Sequence, residues 1–208
     1  MSGKINNLYQ VQKKDMPKVG AVLTDAFQYD PVWKIVFAGE SNKEEKLLAF
    51  FETPIRYCLR YGEVYSSSEN LEGIAAWVPG DLADMTIWGM IRSGAFISGM
   101  KLGATLWKKL KPIFKQLDDD RKENMKGKLY FYLIIIGVAS KFQGQGFGGK
   151  LIRALIEKSE ELGTDIYLET ETEDNVKLYE RFGFKVAKKI ILPNINLPMW
   201  EMIREPKP

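Results

Sequence analysis

Four glycines and a lysine lie close together in residues 143–150, QGQGFGGK, and their spacing fits three phosphate-binding patterns. The dinucleotide pattern G-x-G-x-x-G begins at Gly144, and G-x-x-x-x-G-K, which is nearly a Walker A loop, ends at Lys150. The third pattern, Q-x-x-G-x-G, begins at Gln143 and is typical of loops that bind coenzyme A. Free amides at a helix start attract phosphate, and glycines let it approach closely. We therefore expect a phosphate site here, because four glycines exceed what a packed turn needs.

Two of the three patterns fit the surrounding sequence poorly. The Walker A pattern requires Ser or Thr, for magnesium, at the position that Leu151 occupies. In the dinucleotide pattern an acidic residue that binds the ribose follows at a distance that Glu169 fits. Only 39 residues follow Glu169, however, which are too few for the further βα units of that fold. Residues 139–143 also separate the loop from the preceding strand, which favours the coenzyme A pattern.

The composition excludes several kinds of catalyst. The chain of 208 residues has no histidine and one cysteine, Cys58, which excludes Ser-His-Asp and Cys-His nucleophiles, the usual zinc sites and an intramolecular disulfide. A net charge of +3 without a basic run gives no reason to expect nucleic acid, and no apolar run is long enough to span a membrane. We therefore expect a cytoplasmic protein with no metal, membrane or nucleic-acid partner.

The hydrophobic pattern around the loop predicts a β-loop-α-β unit. The run LYFYLIIIGV, residues 129–138, predicts a strand buried on both faces. A helix with one apolar side follows the glycines and ends at Gly163, and DIYLET, residues 165–170, predicts a second strand parallel to the first. Residues 82–126 are helical in character. The other predicted elements are a strand at 8–12, helices from 15 and over 42–61, a hairpin near 62–80, a short helix before Gly183, and two closing strands.

Two motifs together resemble those of the GNAT N-acetyltransferase superfamily. VASKFQGQGFGGKL, residues 138–151, matches V-x-x-x-x-Q-x-x-G-x-G, and NVKLYERFGF, residues 175–184, matches the N-x-x-x-Y-E-x-x-G-F that follows one strand later. The end of the chain is similar to the puromycin N-acetyltransferase-like branch. The resemblance implies an α/β (α+β) fold with a mostly antiparallel sheet of about seven strands, a central parallel pair and flanking helices. It also implies that residues 1–208 form one domain, with a helical insertion at about 82–126.

The resemblance implies acetyl transfer from acetyl-CoA to a primary amine of a small molecule or peptide, by direct attack without a covalent enzyme intermediate. The pyrophosphate would rest on the loop amides, and the pantetheine arm would lie between the two parallel strands, which separate in this family. A strand amide could polarise the thioester carbonyl. The implied cofactor-binding residues are Ile136, Gly137, Val138, Gln143, Gly144, Gln145, Gly146, Phe147, Gly148, Gly149, Lys150, Asn175 and Tyr179.

Tyr179 is the catalytic residue that the resemblance implies, because the matching tyrosine donates to the departing thiolate. Full proton transfer from a phenol to a thiolate costs about 2 kcal/mol from their ordinary pKa values, a cost that a hydrogen bond largely avoids. The alternative is that Tyr179 only packs the short helix against the sheet with Val176 and Phe182. Asn175 likewise either binds the cofactor arm or supports the helix start.

The acceptor of the amine proton is expected to be a carboxylate acting through water, since histidine is absent. Glu63, at a strand start, and Glu169, at a strand end, are candidates, although each also fits a solvated charge. Five aromatic residues either wall an acceptor pocket or form the core of a helical subdomain, and the second interpretation is favoured: Trp77, Trp88, Phe96, Trp107 and Phe114. An acyl-CoA sensor and a nucleotide-binding protein remain alternative functions, and the sequence permits a homodimer.

Overall fold

Seven strands form one mixed sheet in the computed structural model, which describes residues 7–207. They are β1 Tyr9–Gln10, β2 Glu63–Ser66, β3 Gly73–Pro79, β4 Tyr130–Val138, β5 Asp165–Thr170, β6 Lys185–Ile191 and β7 Pro198–Arg204. The order across the sheet is β1-β2-β3-β4-β5-β7-β6, and every neighbouring pair is antiparallel except β4 and β5. The predicted mostly antiparallel sheet with a central parallel pair is therefore confirmed.

Eight α-helices surround the sheet among the residues that the structure describes. They are α1 Met16–Ala26, α2 Pro31–Val36, α3 Lys43–Tyr61, α4 Ile87–Ser93, α5 Ala95–Met100, α6 Gly103–Asn124, α7 Phe147–Leu162 and α8 Glu173–Arg181. Sequence analysis did not predict α2, because six residues are too few to show a helical period. Its start is fixed by Asp30, whose carboxylate accepts hydrogen bonds from the backbone N–H groups of Val32 and Trp33 at 2.9 and 3.0 Å.

The parallel pair β4–β5 is joined over only three residue pairs. The last of these aligns Tyr132 with Tyr167, after which the two strands pair no further. On its other side β4 pairs with β3 to its end, with one register shift that leaves Ile134 without a partner residue on β3. Such a bulge bends a strand and re-aims its side chains. The separation of the parallel strands, which the family resemblance implied, is present in the structure.

The two faces of the sheet are covered by different helices. Helix α7 packs Leu151 and Leu155 against Phe131 and Leu133 of β4, whereas α1 and α3 cover the opposite face. The prediction of a strand at 129–138 buried on both faces was therefore wrong in part. Leu129 precedes the strand and is 79% exposed, and the side chains of β4 that point away from α7 are half-buried, because a cavity lies beside them.

Helices α4, α5 and α6 lie on the α1–α3 side of the molecule. The apolar stripe of α6, which includes Leu106, Leu110 and Ile113, packs against Val32 and Phe37 in a third buried cluster. This arrangement confirms the helical character predicted for residues 82–126. Among residues 7–207, no helix is both long and apolar enough to cross a membrane.

Candidate active site

The glycine loop leads directly into helix α7. Gly144 and Gly146 have φ angles of 77° and 86°, and a Cβ atom added to either would meet no other atom within 4 Å. Both therefore need the left-handed conformation that glycine adopts without strain, and both leave their surroundings open. The backbone N–H groups of residues 144–149 have no backbone acceptor within the described part of the chain. The loop thus presents free amide donors at a helix N-terminus, an arrangement that suits an anion.

The polar side chains of the loop contact protein carbonyl groups. Gln143 donates from Nε2 to the carbonyl of Val138 at 3.1 Å, which holds the end of β4 against the loop. Gln145 donates to the carbonyl of Lys141 at 3.0 Å. Lys150 donates from Nζ to the carbonyl of Ser67 at 2.7 Å, so its ammonium group is occupied at the β2–β3 turn.

A cavity of about 400 Å³, which we call the loop cavity, opens where β4 and β5 separate. Eight of the predicted cofactor-binding residues line it, namely Ile136, Gly137, Val138, Gln143, Gly148, Gly149, Asn175 and Tyr179. The other five do not line it. Gly144, Gln145 and Gly146 are exposed at the tip of the loop, Phe147 packs against Phe142 with ring centroids 5.8 Å apart, and Lys150 is bound as described.

A second cavity of about 420 Å³, the apolar cavity, extends from the same opening between β4, α2, α3 and α6. Its walls are mainly aromatic and aliphatic side chains. Five residues line both cavities and therefore mark their junction: Phe27, Ile136, Glu171, Asn175 and Tyr179. Two ligands that entered by different cavities would meet at these side chains.

Tyr179 reaches the junction from helix α8. The helix begins at Thr172, whose hydroxyl accepts a hydrogen bond from the backbone N–H of Asn175 at 3.2 Å. The ring of Tyr179 packs edge-on against Phe184, with centroids 5.6 Å apart. Burial, and secondarily the nearby Glu171, raises the pKa of the Tyr179 hydroxyl above its usual value of 10, so it retains its proton. Tyr179 thus both packs against the sheet and presents a protonated donor.

A carboxyl pair at the junction escaped the sequence analysis. Glu171 lines both cavities and forms a side-chain hydrogen bond with Asp30, which stands at the start of α2. Burial, followed by this bond, raises the pKa of Glu171 well above its usual value. One signal was present in the sequence: Glu171 lies two positions after Glu169, so the strand period predicts that both share a face. The partner, 141 positions earlier in the chain, gave no such signal.

Glu169 and Glu63 lie in different environments. Glu169 lines the apolar cavity, and burial raises its pKa to about 8 although a hydrogen bond from Tyr132 opposes the shift. Glu201 lies opposite it on β7, and burial raises the pKa of that carboxyl to about 7. Glu63 forms an ion pair with Lys158 and lines neither cavity. Of the two carboxylates named as proton acceptors, only Glu169 therefore lines a cavity.

An arginine beneath the apolar cavity is held by acidic partners. The side chain of Arg121 is 2% exposed, and its Nη2 lies 2.8 Å from both Asp84 and Asp118. Its guanidinium group also stacks 5.1 Å from the ring centroid of Tyr132. These contacts fix α6 to the polar end of the cavity and leave the charge of Arg121 compensated.

The five aromatic residues singled out from the sequence divide into two groups. Trp107 and Phe114 line the apolar cavity. Trp77 is fully buried in the cluster under α7, Trp88 is 75% exposed and Phe96 is 38% exposed. Neither interpretation fits all five, because only the two aromatic residues on α6 line the apolar cavity.

Known proteins resemble this chain in sequence and in fold. The model of the acetyltransferase (GNAT) family matches residues 113–184. An uncharacterized N-acetyltransferase of Schizosaccharomyces pombe is 31% identical over 207 residues, which cover 95% of this chain and 83% of that protein. A crystal structure from Corynebacterium glutamicum, described as histone acetyltransferase HPA2 and related acetyltransferase, covers 97% of both chains with a TM-score of 0.68 and 21% identity.

A second solved structure, like the first below 25% identity, is similar to this chain in fold alone. Arylalkylamine N-acetyltransferase 2 from Aedes aegypti aligns with 96% of this chain and 98% of its own, with a TM-score of 0.61 and 14% identity. The separated parallel strands, the glycine loop before α7 and the relative that matches 95% of this chain agree with one another. On this evidence the chain belongs to the GNAT acetyltransferase family.

Proposed function

We propose that the protein transfers the acetyl group of acetyl-CoA to a primary amine of a small molecule by direct attack. The observation that carries this proposal is the junction of two cavities at Tyr179, Glu171 and Asn175. One cavity begins at free amides suited to phosphate, and the other is apolar. A thioester from the first and an amine from the second would meet at the junction. In this proposal residues 1–208 act as one domain, in which 82–126 is an insertion.

In the proposed complex the loop cavity holds the cofactor. The pyrophosphate binds the amides of residues 144–149, and the pantetheine arm follows the edge of β4 that lies beyond its pairing with β5. The backbone groups of residues 136–138 face the opening and serve the arm as an added strand would. An amide in this segment polarises the thioester carbonyl and stabilises the charge that develops on its oxygen.

The chemical step then needs one proton acceptor and one donor. The neutral amine attacks the carbonyl carbon, a C–N bond forms, and the C–S bond breaks as the tetrahedral intermediate collapses. Tyr179 donates a hydrogen bond to the departing thiolate, since its raised pKa keeps the hydroxyl protonated, and coenzyme A leaves as the thiolate and takes its proton from solvent. The amine loses its proton to Glu171, directly or through water, once Glu171 has released its own proton. Activity should accordingly rise with pH.

A single-turnover experiment tests this proposal. The variant Tyr179→Phe keeps the ring and removes only the donor, so the acetyl-transfer rate should fall at least about tenfold while acetyl-CoA affinity changes little. Tyr61→Phe is the matched control, because Tyr61 packs in the α1–α3 core and lines neither cavity. An unchanged single-turnover rate in Tyr179→Phe would reduce Tyr179 to a packing residue.

Two other functions are distinguished by simple measurements. A non-catalytic acyl-CoA sensor would bind acetyl-CoA and release no free thiol with any amine. A nucleotide-binding protein would bind ATP or NAD in competition with coenzyme A. The spacing of the loop from β4 and the two-cavity junction favour the transferase over both.

A further inference from the structure

We infer that the acceptor amine carries a bulky apolar body, preferably aromatic, and no anionic group. The inference rests on the proposed acetyl transfer and specifies its second substrate. Three features of the apolar cavity support it: the character of its wall, the placement of its polar groups, and the lack of a basic side chain among the described residues that line it.

The wall of the apolar cavity is a continuous aromatic surface. Phe50 lies at its centre, with its ring centroid 4.5 Å from Trp33, 5.2 Å from Phe51 and 6.3 Å from Phe114, with which it stacks. Trp107 extends the row, 6.4 Å from Phe114. These rings hold one another in place, so the surface is formed before a ligand arrives. A preformed aromatic wall favours a ligand body that buries apolar surface.

The ionisable side chains of the cavity lie at its junction and at its base. Glu171, Asn175 and Tyr179 stand at the junction, and Asp118 and Glu169 lie near Arg121 at the base. An amine that enters the junction therefore leaves the rest of its molecule among apolar side chains. A hydrophilic body there would lose its hydrogen bonds to water without gaining replacements.

Among residues 7–207, every ionisable side chain that lines the apolar cavity, apart from tyrosine, is a carboxyl group. Asp118, Glu169 and Glu171 line it, and neither lysine nor arginine does. The nearest cation named above, Arg121, is already paired with two carboxylates and is 2% exposed. A carboxylate or phosphate on the acceptor would thus be desolvated without a cationic partner. Amino acids, sugar phosphates and acidic peptides are disfavoured, whereas a cationic or neutral head group is accepted.

The helical segment supplies much of this selectivity. Met90 of α4, Leu102 before α6, and Trp107, Ile113 and Phe114 of α6 all line the cavity. Without these helices the aromatic rings of α2 and α3 would face solvent. The segment therefore shapes the acceptor site, which gives it a functional role beyond its own packing.

A panel of four amines tests the inference on the intact protein. The panel comprises 2-phenylethylamine, ethylamine, 4-(2-aminoethyl)benzoate and its neutral amide, 4-(2-aminoethyl)benzamide. We expect kcat/KM for 2-phenylethylamine to exceed that for ethylamine and for the benzoate by at least about 100-fold each. The kcat/KM for the amide should lie between the values for 2-phenylethylamine and the benzoate. The amide matches the benzoate in size, and only the benzoate adds a charge.

A charge variant tests the electrostatic part separately. Met90→Lys places a cation in the wall and should raise the benzoate-to-benzamide ratio of kcat/KM at least about tenfold, whereas Met90→Leu should leave it unchanged. Met90 is half-buried, so a lysine stem can occupy its place. Because the readout is a ratio of two substrates, a general loss of stability would not produce it.

The outcomes separate the two proposals. Acetylation of none of the four amines, with acetyl-CoA bound, would refute the transfer reaction and this inference together. Equal or faster use of ethylamine or the benzoate, in a reaction that still depends on Tyr179, would overturn the inference alone. An unchanged ratio in Met90→Lys would show that charge in the cavity does not select the acceptor.

Discussion

Replacing Glu169 with glutamine should stabilise the protein at alkaline pH and change its stability little near pH 5. Burial raises the pKa of Glu169 from 4.5 to about 8 in the folded chain, whereas the unfolded chain titrates near the ordinary value. Between these values the folded state binds a proton that the unfolded state has released. The contribution of Glu169 to the free energy of unfolding therefore falls as pH rises from about 4.5 to about 8, and it falls no further above that range. Glutamine cannot ionise and avoids the loss.

The structure sets the size of this effect. The difference between the two pKa values corresponds to about 5 kcal/mol, and we expect about 2–5 kcal/mol, since water can enter through the apolar cavity. Glu201 stands opposite Glu169 on β7, and its own pKa is raised to about 7. A negative charge on Glu201 adds to the rise in the pKa of Glu169.

Denaturant unfolding at pH 5 and pH 9 measures the effect. The free energy of unfolding of Glu169→Gln, minus that of the wild-type chain, should increase by about 2–4 kcal/mol between these pH values. Glu161→Gln is the control, because Glu161 is exposed on α7 and should show no such increase. If the wild-type chain and Glu169→Gln lost stability in parallel with rising pH, the carboxyl group of Glu169 would ionise as it does in water, and the argument from burial would fail.

Three further predictions concern ligand binding and reactivity. Acetyl-CoA at 100 times its dissociation constant should add about 2.7 kcal/mol to the free energy of unfolding, and a melt raised by NAD or ATP instead would contradict the assigned ligand. Gly146→Ala should weaken acetyl-CoA binding, whereas Gly163→Ala, with a similar positive φ and equally open surroundings at the other end of α7, should bind normally; equal affinities would place the phosphate elsewhere. Cys58 is fully buried with a raised pKa, so a thiol reagent should leave the native protein unmodified, and rapid labelling would show that the α3 core opens readily.

The local part of the site could be predicted from the sequence. The glycine loop, the start and end of α7, and the position of Tyr179 on α8 all follow from motifs shorter than 15 residues. Such motifs describe elements whose backbone is determined by near neighbours, as at Gly163, whose φ of 62° ends α7. The strand β5 was predicted with its observed bounds for the same reason.

The non-local part of the site could not be predicted in this way. The Glu171–Asp30 pair joins the end of β5 to the start of a helix that is too short to show a period. The aromatic wall combines Trp33 of α2, Phe50 of α3 and Phe114 of α6, which come together only when three helices pack on one face of the sheet. The prediction that both faces of β4 are buried was wrong in part because it also depended on non-local packing. A continuous apolar run is equally consistent with two buried faces and with one face that lines a cavity.

The separation of β4 from β5 connects the fold to the chemistry through backbone hydrogen bonding. Pairing stops after Tyr132 and Tyr167, so the later residues of both strands present N–H and C=O groups that the ladder does not satisfy. Buried groups of this kind require partners, from water or from a ligand. The bulge at Ile134 keeps β4 paired with β3 while the strand turns toward the opening, and Gln143 holds its last carbonyl. A pantetheine arm that bonded along this edge would restore the missing ladder and deliver the thioester to Tyr179 in the same step.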